Sequence, residues 1–380
     1  MKLVHLSDLH LGKRVNGFSM LEDQEYILIN IINIIKEETP DCLIIAGDIY
    51  DNPIPSAEAV QLFDDFLVCL AKPELKIFVI SGNHDSPERI AFGSQFMHRS
   101  GVYMSPVYHG VVMPVPSQDE FGTVNIYMLP FIKPAHVKRY FPDAEISSYT
   151  DAVGTAVSNM KVDQTGRNIL ITHQFVTGAS RCESEDILSV GGSDSVDAAV
   201  FAPFDYVALG HLHGPQNVGE ETIRYCGTPL KYSFSEAGQQ KSVTVVELAK
   251  KGDVNVRTVP LLPKHDMDEI KGKYEEITLR SFYEGTPYQE DYMHITLTDE
   301  DDIPDAIGKL RSVYHNIMKL DYDNARSRSS TMISGTDDVE RKLPLDLFAE
   351  FYEKQNNQPM NKEQRTFLCD MIENVWGDKQ

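Results

Sequence analysis

Seven residues with metal-ligating side chains stand just past short apolar runs: Asp8, His10, Asp48, Asn83, His173, His211 and His213. Leu3-Val4-His5-Leu6 leads to Ser7-Asp8-Leu9-His10, and Cys42-Leu43-Ile44-Ile45-Ala46 to Gly47-Asp48-Ile49-Tyr50-Asp51. Ile77-Phe78-Val79-Ile80 opens onto Ser81-Gly82-Asn83-His84-Asp85. Ile169-Leu170-Ile171 precedes Thr172-His173-Gln174, and Tyr206-Val207-Ala208-Leu209 precedes Gly210-His211-Leu212-His213. Side chains two apart in an extended segment point the same way, so Asp8 with His10, and His211 with His213, are expected to present paired donors. An N/O donor set with no cysteine suits manganese, iron, zinc or magnesium. Seven ligands are too many for one tetrahedral ion and a natural number for two ions sharing a carboxylate. Two such ions, roughly 3.5–4 Å apart, can clamp a phosphoester and activate water.

Taken singly, each cluster is ordinary. Asp-x-His and Asn-His-Asp are turn sequences, and a histidine after Ile-Thr is a common polar strand end. Their joint occurrence, at equivalent places after five apolar runs, is what points to a metal centre.

The runs read as buried strands, being short, apolar and bounded by Gly or polar residues. Between the first three lie amphipathic segments of helical length, Leu21 to Glu37 and Ser56 to Leu70. Such alternation implies an α/β sheet, in which ligands gather beyond the carboxyl ends of the strands.

A chain of 380 residues exceeds the usual size of one core. Its net charge of -22 argues against gripping nucleic acid alone over a broad surface, while metal ions can supply positive charge locally. Five scattered cysteines without a Cys-x-x-Cys make a disulfide framework or thiolate zinc site a poor reading and fit reduced thiols in a cytoplasm. No secretory signal and no membrane-spanning run is visible.

The motifs Asp8-Leu9-His10, Gly47-Asp48-Ile49-Tyr50-Asp51, Gly82-Asn83-His84-Asp85, His173 and Gly210-His211-Leu212-His213 resemble the five-part signature of the calcineurin-like metallophosphoesterases. Leu11-Gly12, the run 82–89 and Thr172-His173-Gln174-Phe175 are similar, within that family, to the nuclease subunits of DNA double-strand-break repair complexes. The resemblance implies an α/β sandwich of two packed β-sheets flanked by helices at 1–265, a small α+β capping domain that guides DNA at 266–324, a linker at 325–340 and a helical hairpin at 341–380. It implies that Asp8, His10 and His213 hold one metal, that Asn83, His173 and His211 hold the other, and that Asp48 bridges them. His84 is then a catalytic residue that assists the leaving oxygen, with Asp85 as its acidic partner, and Asp51 supports from behind. Manganese(II) is the expected ion, with magnesium, iron or zinc as alternatives. The implied partners are a coiled-coil ATPase and DNA (double-stranded ends, hairpins and single strands), in a homodimer within a heterotetramer and with no membrane. The implied activities are 3′-to-5′ double-strand exonuclease and single-strand or hairpin endonuclease, serving repair, recombination and replication.

Beyond the motifs, His5 reads as a core histidine, and His98, His109, His136, His265, His294 and His315 as surface or structural residues. Thr222 to Cys226 and Ser242 to Leu248 read as strands that complete the sandwich, with Gly227-Thr228-Pro229 as an architectural turn. Tyr292 to Leu297 and Ile317 to Tyr322 read as strands, with a helix over Ile303 to Tyr314 between them. Lys309, Arg311, Lys319, Arg326 and Arg328 serve DNA or simply a solvated face. Asn361 and Gln364 form a capping box before the last helix, preceded by a helix over Leu345 to Gln355. Two other readings are a stand-alone enzyme acting on nucleotides or cyclic nucleotides, and a scaffold that keeps the fold without the chemistry.

Overall fold

The computed structural model describes residues 1–71, 74–185, 194–325, 345, 348–349, 352 and 360–376. The chain divides into two compact units, Met1–Asp266 and Met267–Gln380.

The first unit holds two six-stranded sheets. One contains β1 (Lys2–Leu6), β4 (Cys42–Ala46), β5 (Lys76–Ile80), β6 (Val102–Met104), β13 (Ser242–Leu248) and β14 (Val254–Pro260), in the order β14-β13-β1-β4-β5-β6. The other contains β7 (Val115–Asp119), β8 (Gly122–Leu129), β9 (Arg167–His173), β10 (Tyr206–Gly210), β11 (Gln216–Val218) and β12 (Glu220–Tyr225), in the order β11-β12-β10-β9-β8-β7. A short ribbon, β2 (Arg14–Val15) with β3 (Phe18–Ser19), stands apart. The central strands β1, β4 and β5 are mutually parallel, as are β8, β9 and β10.

Parallel strands covered on both faces read as continuous apolar runs rather than alternating ones, and every residue of β4 and β10 is buried. Leu3, Ile44, Ala46, Phe78 and Ile80 meet Ile126, Ile169, Ile171 and Ala208 in one core between the sheets. Their neighbours Val4, Leu43 and Ile45 point the opposite way and are also fully buried. The second sheet packs its far side against the helix Tyr149–Asn159 through Leu170, Val207, Leu209, Val153 and Val157.

The expected helices form as α1 (Leu21–Glu38) and α2 (Ala57–Leu70). Ile27, Leu28, Ile31 and Ile35 of α1 are buried at helical spacing. Ser56 caps α2 by accepting the Ala59 N–H, one of the donors a helix start leaves unpaired.

The two sheets approach closely at the ends of β4 and β10. A Cβ on Gly210 would lie 1.9 Å from the Ala46 carbonyl oxygen and 2.7 Å from His173 Nδ1. Only hydrogen fits there. Gly210→Ala is expected to destabilise the unit by about 3 kcal/mol, the upper part of the usual cost of overpacking, read by urea unfolding. A variant as stable as the parent would mean that the sheets are not locked together at this point.

The second unit contains a parallel three-stranded sheet, β15 (Met267–Gly272), β16 (Tyr292–Leu297) and β17 (Asn316–Tyr322). Its core gathers Ile270, Ile277, Met293, Ile295, Leu310, Tyr314 and Ile317. The helix expected over Ile303 to Tyr314 is shorter, Ala306–Leu310, because Pro304 and a left-handed Asp305 (φ 52°) delay its start. Near the C-terminus the helix Lys362–Trp376 carries the expected capping box. The Gln364 N–H donates to Asn361 Oδ1, and the Asn361 N–H to Gln364 Oε1, both at 2.9 Å. The linker 325–340 and the helix over Leu345 to Gln355 lie outside the described residues, apart from positions 325, 345, 348, 349 and 352. Among the described residues no helix is long and apolar enough to cross a membrane.

Candidate metal centre

The seven donors converge where the carboxyl ends of β1, β4 and β5 meet those of β9 and β10. Hydrogen bonds between loops, rather than strand extension, set their directions. The loop after β1 zips onto the loop after β4: Asp8 N–H to Gly47 O at 3.0 Å, His10 N–H to Asp48 O at 3.0 Å and Leu11 N–H to Ile49 O at 2.9 Å. Asp8, His10, Asp48 and His211 all take positive φ (53°, 46°, 49° and 109°). The expectation that Asp8 with His10, and His211 with His213, lie along extended edges is therefore corrected. Such conformations are costly for non-glycine residues and persist where surrounding bonds over-determine them. Here the Asp8 carboxylate accepts the His211 N–H at 3.0 and 3.2 Å, which ties β1 to β10.

Two groups of donors result. On one side His10 Nε2 faces His213 Nε2 at 3.2 Å, within a triad that includes Asp8. On the other side Asn83 Oδ1 lies 3.0 Å from His173 Nε2 and 2.9 Å from His211 Nδ1. Asp48 stands between them, with Oδ2 3.7 Å from His10 Nε2 and 3.3 Å from His173 Nε2. His173 is held across the sheets by its Nδ1, 2.8 Å from the Ala46 carbonyl.

The donors fit a pair of divalent cations. At most one of two imidazole nitrogens facing each other at 3.2 Å can carry the hydrogen between them, so a lone pair points inward. Asp8 and Asp48 are essentially sealed from solvent beside four imidazoles, and among the described residues no cysteine joins these donor groups. His10 Nδ1 and His211 Nε2 are buried without a hydrogen-bond partner among the described residues. Burial pushes Asp8 up to about 8 and His10 down to about 3, and drives His211 well below the usual histidine range. Burial would also lower His173, but the Asp48 and Asp8 carboxylates and the Ala46 carbonyl together outweigh it and raise the imidazole to about 9. Positive charge in the pocket would favour ionised carboxylates and neutral imidazoles together, the forms that ligate metal.

His84 lies at the open side of the centre. Its backbone N–H donates to Asp48 Oδ1 at 2.9 Å, and its ring Nδ1 meets the Asp51 carbonyl at 3.0 Å. Nε2 is 4.0 Å from Asp48 Oδ2, so His84, His10 and Asp48 also form a cluster with metal-ligand spacing. Asp85, expected as the acidic partner of His84, has both carboxylate oxygens engaged by backbone N–H groups. Oδ2 accepts the Ile49 and Gly82 N–H groups at 3.1 and 2.9 Å, and Oδ1 accepts the Tyr50 N–H at 3.0 Å. The carboxylate thus staples the loop after β5 to the loop after β4. Asp51 takes the Lys13 ammonium at 2.7 Å and lies 3.6 Å from His10 Nδ1.

Several supports had no clear signal in the sequence. Gln24, a polar residue on the buried face of α1, donates to the His10 carbonyl at 2.8 Å and to Tyr232 Oη at 2.9 Å. Tyr232 in turn donates to the Leu9 carbonyl at 2.6 Å. Ser184, Glu185, Glu236 and Lys241 surround His213. Away from the centre, His5 is a core residue with Nδ1 2.9 Å from Tyr206 Oη. His265, His294 and His315 pair with Asp23, Glu269 and Glu290 respectively. Lys319 pairs with Asp321 at 2.8 Å, and Arg326 and Arg328 lie outside the described residues.

Comparison with known proteins gives matches over nearly the whole chain. Residues 1–215 match the family described as calcineurin-like phosphoesterase, and residues 263–356 the one described as type 5 capsule protein repressor C-terminal domain. The chain is 34% identical over 370 residues to SbcD, the D component of the nuclease SbcCD, from Staphylococcus epidermidis, covering 96% of each. A dimetal phosphatase from Danio rerio aligns in structure with a TM-score of 0.41 at 10% identity, over 69% of this chain and 98% of that one.

Proposed function

This chain belongs to the calcineurin-like phosphoesterases and, within them, to the SbcD nuclease subunits, and we propose accordingly that it hydrolyses DNA phosphodiester bonds as the nuclease partner of an SbcC-like ATPase. The observation that carries the reading is the meeting of seven N/O donors at the ends of strands from both sheets. Asp8, His10 and His213 would hold one divalent ion and Asn83, His173 and His211 the other, with Asp48 between them; manganese(II) is our choice of ion. When bound, the ions supply positive charge against the phosphodiester and acidify the attacking water. The residues do the rest. Asp48 and Asp8 fix the position of that charge, and Asp85 holds the two loops in register. His84, with Nδ1 on the Asp51 carbonyl, turns Nε2 toward the reacting phosphate and gives a proton to the departing 3′ oxygen.

The reading includes 3′-to-5′ exonuclease action on duplex ends and endonuclease action on hairpins and single strands. The direct test is a manganese-dependent nuclease assay with and without the ATPase, run beside mononucleotide and cyclic-nucleotide substrates. Turnover of DNA that the ATPase enhances supports it. Turnover of nucleotides alone would favour a stand-alone phosphoesterase, and no turnover at all a silent scaffold.

The C-terminal helix bears on the partner. Phe367 is 67% and Met371 46% exposed, apolar side chains one turn apart. We assign this stripe to the coiled-coil root of the ATPase, which a helix-in-groove contact would cover. Deleting residues 341–380 is expected to abolish co-purification with the ATPase while leaving manganese binding intact; unchanged association would sink the assignment. A homodimer is supported by Phe92 and Phe96, 84% and 79% exposed on a chain of net charge -22. A second copy, brought up by two-fold symmetry, would cover both and complete a heterotetramer with two ATPases.

A further inference from the structure

His213 is gripped at every polar atom but one. Its N–H donates to Glu185 Oε1 at 2.6 Å. Its carbonyl accepts from Lys241 Nζ at 2.9 Å and from the Thr228 N–H at 3.1 Å. Its Nδ1 lies 2.7 Å from Ser184 Oγ, which is hydrogen-bonded onward to Glu236 Oε1. The other oxygen of Glu236 binds the Lys241 ammonium, and the two side chains of that ion pair are 0% and 4% exposed. The remaining atom, Nε2, faces His10 Nε2 at 3.2 Å.

The order of donors follows from counting protons. Lys241 has only protons to give, so Glu236 beside it is a carboxylate and an acceptor. A serine hydroxyl has one proton, and Glu236 receives it. Ser184 Oγ must then accept from His213, which places the ring hydrogen on Nδ1 and the lone pair on Nε2. We propose that Ser184 and Glu236 are positioning residues that fix the ring orientation and tautomer of His213, so that Nε2 is offered to the divalent ion shared with Asp8 and His10. This rests on the reading of His213 as a ligand. Groups behind a ligating histidine commonly act in this way, and their loss costs about 10–100-fold in metal affinity. Here the residues come from two distant segments, Cys182-Glu183-Ser184-Glu185 and Phe234-Ser235-Glu236. The second follows a turn whose sequence suggested architecture alone.

The test is equilibrium dialysis of the full chain against manganese followed by metal analysis, with thermal unfolding of the metal-free protein alongside. The parent is expected to bind two ions. Ser184→Ala should keep one at parental affinity and weaken the other by about 10–100-fold, with an unchanged unfolding temperature. Ser184→Thr, which keeps the hydroxyl, should recover most of the loss. Glu236→Gln should act in the same direction. It also leaves Lys241 buried without its counter-charge, so the Ser184 pair decides even if that variant fails to fold. Two ions bound to Ser184→Ala at parental affinity would overturn the proposal, as would equal weakening of both ions. Parental protein binding fewer than two ions would overturn the two-metal reading beneath it as well.

Discussion

Asp48→Asn is expected to lose both ions together and to reduce DNA hydrolysis by more than replacement of any one metal-liganding histidine. Asp48 Oδ2 lies between the two donor groups, 3.7 Å from His10 Nε2 and 3.3 Å from His173 Nε2, while Oδ1 orders the His84 N–H. Removing one preorganised stabilising group costs on the order of 10²–10³-fold. Here a single change withdraws a negative charge from both metal positions, so the loss should exceed that range. Asparagine is the informative replacement. It keeps the shape, and it tolerates the left-handed φ of 49° better than other residues. Asp48 also packs directly against Gly82, where an added Cβ would fall 2.1 Å from Asp48 Oδ1. The measurement is metal content per chain after dialysis against manganese, with nuclease rate in parallel. Asp48→Asn that still carries two ions would show that Asp48 does not bridge them. His213→Ala should empty one position only, which separates a shared ligand from a single-metal one.

Much of this centre was legible in the sequence because of the way parallel sheets advertise themselves. β4 and β10 are buried on both faces, so each is an uninterrupted apolar run, and chemistry must wait for the strand's carboxyl end. Asp48 and His211 stand just past those ends. The backbone turns behind the side-chain directions were not legible. Extended alternation aims Asp8 and His10 together, and they do meet in one donor triad, but through left-handed turns bonded to Gly47 and Asp48 of another loop rather than along a strand. Local periodicity carries no record of such a partner. The bonds of Asp85 were hidden for the same reason: its neighbour in sequence is His84, but its oxygens accept the N–H groups of Ile49, Tyr50 and Gly82. Ser184 and Glu236 are fixed by a fold that brings residues 52 apart into one hydrogen bond. In the second unit the strands Tyr292–Leu297 and Asn316–Tyr322 were readable. Helical spacing over Ile303 to Tyr314 overstated the helix, since Ile303 and Tyr314 reach the core from outside Ala306–Leu310 and Ile307 is exposed.

His84→Ala is expected to keep both ions and lose on the order of 10²–10⁴-fold in DNA hydrolysis, the range for a positioned acid. The geometry leaves two roles open to the ring. It clusters with His10 and Asp48 closely enough to be a ligand. Its Nδ1 bond to the Asp51 carbonyl, its edge-on contact with His10 at 4.8 Å between ring centroids and its side chain 19% exposed on the open side suit a proton donor instead. An imidazole whose Nδ1–H is held by a carbonyl can carry a second proton on Nε2, and a departing 3′ alkoxide needs one. The two roles part when the leaving group is changed. A nitrophenyl phosphodiester releases a phenolate stable enough to depart without a proton, so His84→Ala should cleave it nearly as fast as the parent does. A ligand role predicts the opposite: metal content falls, and the DNA and nitrophenyl rates fall with it. Equal losses on both substrates with metal retained would also remove His84 from the acid role, leaving it to orient the phosphate. Only a large loss on DNA, a small one on the activated diester and two ions still bound identifies His84 as the residue that protonates the leaving oxygen.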